Sequence, residues 1–192
     1  MLAHWLVVLL VQYEAFDQDV EVHGRTVLHV VDDALARFSD EYRTSARETL
    51  ANHGIEDPAH DEWYPQQAWL NSFETIAEDL EPHLLDRLGE QIPTIADWPA
   101  SIASMPDALQ SIDDAYQRNH RGGDIGSYRF EQLDDRTGRV VCTTPYPCPF
   151  DRGLIRAVAR RHAPVEAFVF VEERGDACRR DGSDTCTYTV SW

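Results

Sequence analysis

The sequence predicts an α+β fold in which N-terminal helices pack on an antiparallel sheet, and three observations carry that reading. Residues 126–192 read as strand, strand, helix, strand, strand and contain every cysteine of the chain. The last of these segments has the cleanest two-residue period in the sequence, with Cys186, Tyr188, Val190 and Trp192 on one side and Thr185, Thr187, Thr189 and Ser191 on the other. The first half is a series of amphipathic helical segments, whose apolar faces supply the cover a one-sided sheet requires.

In chain order, residues 2–11 are an apolar run about half the ~20 residues needed to cross a bilayer as a helix. It lacks the basic start and small-residue cleavage site of a secretion signal. A buried strand or helix is expected there, with a peripheral membrane anchor or an early start codon as alternatives. Gly24 then precedes a long helix whose stripe is Leu28, Val31, Leu35, Phe38, Tyr42, Ala46 and Leu50, stopped at Asn52-His53-Gly54. After a polar connector the next helix carries Trp69, Leu70, Phe73, Ile76, Ala77 and Leu80. Pro82 must break or kink it, because proline removes a donor and clashes with the preceding turn.

Leu84, Leu85 and Leu88 continue as a short helix ended by Gly89, and residues 92–102, with two prolines, form a loop. Ser104-Met105-Pro106-Asp107 is a helix start with a serine cap and an early proline. Met105, Leu109, Ile112 and Tyr116 line that helix, which Arg121-Gly122-Gly123 ends. Strands over 127–133 and 139–144 flank a turn-rich connector. A helix over 150–162 and strands over 165–173 and 185–192 complete the unit. The expected organisation is an N-terminal apolar segment over 1–23 and a single domain over 24–192, helical to 123 and ββαββ from 124.

Composition narrows the function. The net charge is −17 in 192 residues, and all 17 basic residues are arginine. Such acidity suggests a surface adapted to concentrated salt, and it repels phosphate backbones, so no nucleic-acid binding is expected. Four cysteines are too sparse for a disulfide scaffold, which points to a cytoplasmic protein without a transmembrane segment.

Cys142, Cys148, Cys178 and Cys186 come from strand ends and adjoining loops, so they can converge. Four thiolates would suit zinc, although the spacings are longer than those of a zinc knuckle. A Cys178–Cys186 pair and buried thiols acting as small apolar groups are the alternatives. His120, in a polar glycine turn, reads as a helix cap or an anion-binding turn. Arg152, Arg156 and Arg160 recur every fourth residue; they pair with nearby carboxylates or offer a docking face for an acidic partner or a second copy. No nucleophile elbow, phosphate loop or dinucleotide fingerprint is present, and no catalytic residue stands out.

The closing run Cys178-Arg179-Arg180-Asp181-Gly182-Ser183-Asp184-Thr185-Cys186-Thr187-Tyr188 resembles the end of a 4-vinyl reductase type domain. The segment Thr144-Pro145-Tyr146-Pro147-Cys148-Pro149-Phe150-Asp151-Arg152-Gly153 is similar to the same family's middle motif. That resemblance implies a superfamily shared with haem nitric-oxide sensor domains and TRAPP trafficking subunits, in which helices and a twisted sheet enclose an apolar cavity. It also implies Cys178 and Cys186 as the matching cysteines, with Cys142 and Cys148 as co-ligands of a metal. The haem sensors' Tyr-x-Ser-x-Arg clamp has no counterpart, since Ser127-Tyr128-Arg129 has the letters in the wrong order, so haem is disfavoured.

The resulting expectation is a non-enzymatic domain that binds a small apolar ligand, with Trp69, Phe73, Tyr116, Tyr128 and Phe168 as pocket walls and a metal at the four cysteines. The alternatives are an accessory protein or enzyme of tetrapyrrole reduction, and a metal-stabilised module that forms a homodimer.

Overall fold

The computed structural model describes residues 12–78, 82–94, 96, 98, 102–175 and 178–192. The apolar run at 2–11 and Leu80 lie outside them. Strand β1 (Glu21–His23) leads directly into α1 (Gly24–Leu28), which continues as a π-helix, His29–Ala34, and a 3-10 turn, Leu35–Arg37. Ser39 then leaves helical conformation, and its hydroxyl accepts from the Glu41 N–H at 3.0 Å. That cap restarts the chain as α2 (Asp40–Asn52), so the single long helix expected from the stripe is two segments meeting at a serine. Gly54, at φ +85°, ends α2 as the sequence predicts.

Strand β2 (Trp63–Pro65) precedes α3 (Gln66–Glu78), and the next helix, α4, starts at Pro82. Proline is tolerated in a first turn, where its missing N–H has no partner to lose. Helix α5 (Met105–Asn119) has the predicted start, with Ser104 Oγ accepting from the Asp107 N–H at 3.2 Å. Strand β3 (His120–Arg121) follows, and the three short strands pair antiparallel in the order β2-β1-β3.

The C-terminal unit has the predicted order: β4 (Ser127–Asp134), β5 (Thr137–Thr143), α6 (Cys148–His162), β6 (Phe170–Arg174) and β7 (Cys186–Ser191). The strands form an antiparallel sheet in the order β4-β5-β7-β6, with Cys142 opposite Cys186 and Val140 opposite Tyr188. Tyr128, Val140, Cys142, Cys186, Tyr188 and Val190 are buried, while Thr187, Thr189 and Ser191 are partly exposed, as the period requires. Helices α5 and α6 lie against the sheet, and the Tyr188 hydroxyl donates to the Cys148 carbonyl at 2.9 Å.

Strand β6 begins five residues later than expected, at Phe170. The preceding segment is surface loop, with Val165 95% and Phe168 81% exposed. Phe168 therefore cannot wall an interior pocket: of the apolar run that suggested a strand at 165–169, Val165 and Phe168 face outward while Val169 packs against the core.

Helix α4 runs on to Gln91, past the glycine expected to end it. Gly89 instead sits where α4 meets α6: a Cβ there would fall on the Phe150 carbonyl oxygen, and one on Gly153 would fall on the Asp86 carbonyl oxygen. The same interface uses the arginine stripe. Arg152 and Arg156 pair with Asp86, and Arg156 and Arg160 with Glu90. The carboxylates the stripe needs thus lie on α4 rather than on its own helix. Because backbone cannot yield as a flexible side chain can, Gly89→Ala and Gly153→Ala should each destabilise by about 1–3 kcal/mol or more in denaturant unfolding. Loss below 0.5 kcal/mol in both would mean that the helices do not approach so closely.

Candidate ligand pocket and thiol cluster

Between the helices and the sheet lies a cavity of about 40 Å³. Trp69 of α3, Ile112 and Tyr116 of α5, Tyr128 of β4, Tyr146 and Leu154 are among its walls. Three of the residues expected to wall it therefore meet at one place. Phe73 stands one layer back, stacked on Trp69 with ring centroids 5.2 Å apart, and Phe168 is on the surface.

His120 caps α5, one of the two roles its sequence context allows, and its ring is turned inward to the pocket wall. Nδ1 lies 2.9 Å from the Tyr116 carbonyl and Nε2 2.7 Å from the Tyr146 hydroxyl. A carbonyl only accepts, so Nδ1 carries the proton and Nε2 accepts from Tyr146. Burial pushes the imidazole down to about 4, against the Tyr116 hydrogen bond, so the ring is neutral at ordinary pH.

Beside the pocket is a fully buried ion pair, Asp151 with Arg179. Tyr128 donates to one oxygen of Asp151, and Thr144 Oγ1 donates to the other at 3.0 Å. Arg179 also donates to the Thr144 carbonyl and, at 2.7 Å, to its hydroxyl. Burial raises the Asp151 pKa, while Arg179, Tyr128 and Thr144 pull it back. Burial works against the Arg179 charge too, but Asp151 and then the thiols hold it on.

The network reaches the cysteines, because the Arg179 N–H donates to Cys186 Sγ at 3.2 Å. Cys148 Sγ lies 2.9 Å from Cys186 and 3.3 Å from Cys178, which is 3.4 Å from Cys186. All four cysteines are free thiols. Donor atoms of Cys148, Glu173, Cys178 and Cys186 lie within 4.8 Å of one another. Cys142 is left out of this group. It sits on β5 directly across from Cys186, fully buried, and burial pushes its thiol well up. Cys186 is drawn down to about 6, first by the hydrogen bond from Cys148, while Cys148 is raised in return. A half-buried carboxylate and three buried thiols form a compact donor set for a thiophilic cation.

Sequence reasoning missed Glu173, Asp151, Arg179, Thr144 and Tyr146. Glu173 is one of 34 acidic residues, and only its register opposite Tyr188 brings it to the thiols. The inward face of β6 was the one signal available for it.

No family model matches the sequence, and no curated protein is similar to it. Solved structures are similar over most of the chain. An H-NOX protein from S. oneidensis in the Fe(II) ligation state has a TM-score of 0.64 at 14% identity, covering 88% of this chain and 95% of that one. A point mutant of T. Tengcongensis H-NOX has a TM-score of 0.63 at 13% identity, covering 88% and 96%. The fold is H-NOX-like. The S. oneidensis protein is also described in an Fe(II)NO state, and a further similar structure, with a TM-score of 0.59, is described in terms of heme redox potential.

These neighbours correct the cofactor expectation. Haem is not disfavoured by this architecture, since similar folds are described in Fe(II) and Fe(II)NO states and in terms of heme redox potential. The missing Tyr-x-Ser-x-Arg letters argued from one short motif, whereas the similarity extends over 88% of the chain. In the conformation described here the cavity has room for only a few water-sized groups, and both His120 ring nitrogens are engaged. The residues as placed do not accommodate a macrocycle.

Proposed function

We propose that this chain is a non-enzymatic, sensor-type domain of the 4-vinyl reductase kind that takes a small, largely apolar molecule into the cavity between its helices and sheet. The observation that carries the reading is the apolar pocket itself, walled by Trp69, Tyr116, Tyr128, Tyr146 and Leu154 beside the core. A guest that binds only the folded state must stabilise it, by about 2.7 kcal/mol at a hundred times its Kd. Denaturant midpoints measured under xenon and small hydrocarbons should rise; midpoints that stay flat across the series would reject the pocket.

The thiol corner is proposed as a structural metal site, with Cys148, Cys178, Cys186 and Glu173 as ligands and Cys142 as a buried neighbour. Support comes from the four donor atoms lying within one coordination sphere's reach. Elemental analysis should find close to one thiophilic metal per chain. Cys186→Ser should lower that content at least tenfold and lower the stability of the β6–β7 corner. Metal-free protein of unchanged stability would refute the assignment.

A haem-loaded form is the second reading, favoured by the H-NOX neighbours. It requires the Trp69 and Tyr146 walls to separate, and a saturable one-to-one Soret band on adding hemin would establish it. No helix among the described residues is long and apolar enough to cross a membrane.

A further inference from the structure

A second concavity lies on the surface of the helical half, where the 3-10 turn Leu35–Arg37 and the start of α2 face α4. It is an open groove of about 540 Å³, in the size range of small-molecule sites. It shares no wall residue with the interior cavity. Leu84, Arg87 and Gln91 follow one another along one face of α4, and Arg37, Phe38 and Tyr42 form the other wall.

The chain has 34 acidic residues, yet no carboxylate is among the walls of this groove in the described residues. Both of its arginines are exposed, and each is held by an uncharged partner. Arg37 Nη1 donates to Gln91 Oε1 at 2.7 Å, and the Arg87 guanidinium lies over the Phe38 ring, 5.2 Å from its centroid. The flanking acids are engaged elsewhere: Asp33 with His29, Asp40 with Arg43, Asp86 with Arg152 and Arg156, and Glu90 with Arg156 and Arg160. A cleft lined by charge of one sign gathers counter-ions, and guanidinium donors match the geometry of a carboxylate.

The half-buried Phe38, Tyr42 and Leu84 give the same groove an apolar surface that a bare ion would leave uncovered. A flat ring adds offset or edge-to-face contact with Phe38 and Tyr42 to its area burial. The net charge of −17 weighs against a polyanion, because repulsion grows with every negative charge the ligand brings. One negative charge on an aromatic body is the combination these walls answer.

We propose that this groove binds a small aromatic monocarboxylate, its carboxylate shared by Arg37 and Arg87 and its ring against Phe38, Tyr42 and Leu84. The site is separate from the interior cavity, so either can fail without the other.

Calorimetric titration of the full chain at fixed ionic strength tests this, with 2-naphthoate as the probe and 2-naphthalenemethanol, acetate and phosphate as comparisons. The expected result is one-to-one binding of 2-naphthoate, with the alcohol and each bare anion weaker by about tenfold or more. Arg37→Gln and Arg87→Gln should each weaken 2-naphthoate about tenfold, the worth of a hydrogen bond to a charged group. Both side chains are exposed, so denaturant midpoints near wild type should show that the variants fold. Equal affinity for 2-naphthoate and its alcohol would overturn the carboxylate assignment, and acetate or phosphate binding as tightly as 2-naphthoate would overturn the aromatic one. Affinity unchanged in both variants, or no binding of 2-naphthoate at all, would overturn the site itself.

Discussion

Asp151→Ala should cost the protein about 3–5 kcal/mol, the penalty for stranding a buried charge. At about 2–4 °C per kcal/mol for a chain of this size, the melting temperature should fall by roughly 6–20 °C. Asp151 receives Tyr128, Thr144 and Arg179, all buried. Without the carboxylate, the Arg179 guanidinium loses its counter-charge and keeps its hydrogen bonds to Thr144 beside the thiols. Replacing both charges, as in Asp151→Leu with Arg179→Met, should recover much of the loss, because an apolar pair has no charge to desolvate. A single variant within 1 kcal/mol of wild type, by denaturant unfolding, would show that the pair is not buried as described.

The second large effect is a pH dependence set by His120. Its imidazole is held near 4 in the folded protein by burial, against an unfolded value of about 6.5. Between those values the unfolded chain binds the proton and the folded chain does not, so stability falls as pH drops from about 6.5 to 4 and is whole above that window. About 2.5 pH units at 1.36 kcal/mol each give about 3 kcal/mol. The Asp151 carboxyl is shifted upward, so its contribution runs in the opposite sense. The His120 share is isolated by difference: His120→Gln should have a shallower slope in this window than wild type, whatever its absolute stability. Parallel pH profiles would mean that the ring is protonated or solvated in the native state.

How much of this was legible in the residues follows from the range of each interaction. The β7 alternation, the Ser104 cap, the Gly54 stop and the break at Pro82 are local signals, and each element forms where they lie. The β2-β1-β3 sheet left no trace, because strands of two or three residues are too short to display a period. Ser39 looked like one more polar position on a helix until its extended backbone showed it to be a cap. Gly89 carried the letter of a helix stop but serves a close helix crossing, a distinction set by α6 and not by its sequence neighbours.

The candidate site divides in the same way. Trp69, Tyr116 and Tyr128 could be assigned to inward faces from periodicity alone, and they do meet at the cavity. Phe168 followed from an extrapolated strand whose first residues have no partner to pair with. Cys142 was grouped with the other thiols by proximity to a strand end, but the β5–β7 register places it across from Cys186 rather than in the cluster. The Asp151–Arg179 pair joins residues 28 positions apart in a chain rich in both charges, so only the three-dimensional arrangement singles it out.

The central claim is that the helices and the sheet enclose a space that a small guest can enter. A crystal structure determined under xenon pressure tests it most directly. The account predicts an ordered xenon atom among Trp69, Tyr116, Tyr146 and Leu154, with the surrounding rings in place. An interior in which those four side chains touch one another, with xenon found only at the surface, would contradict it.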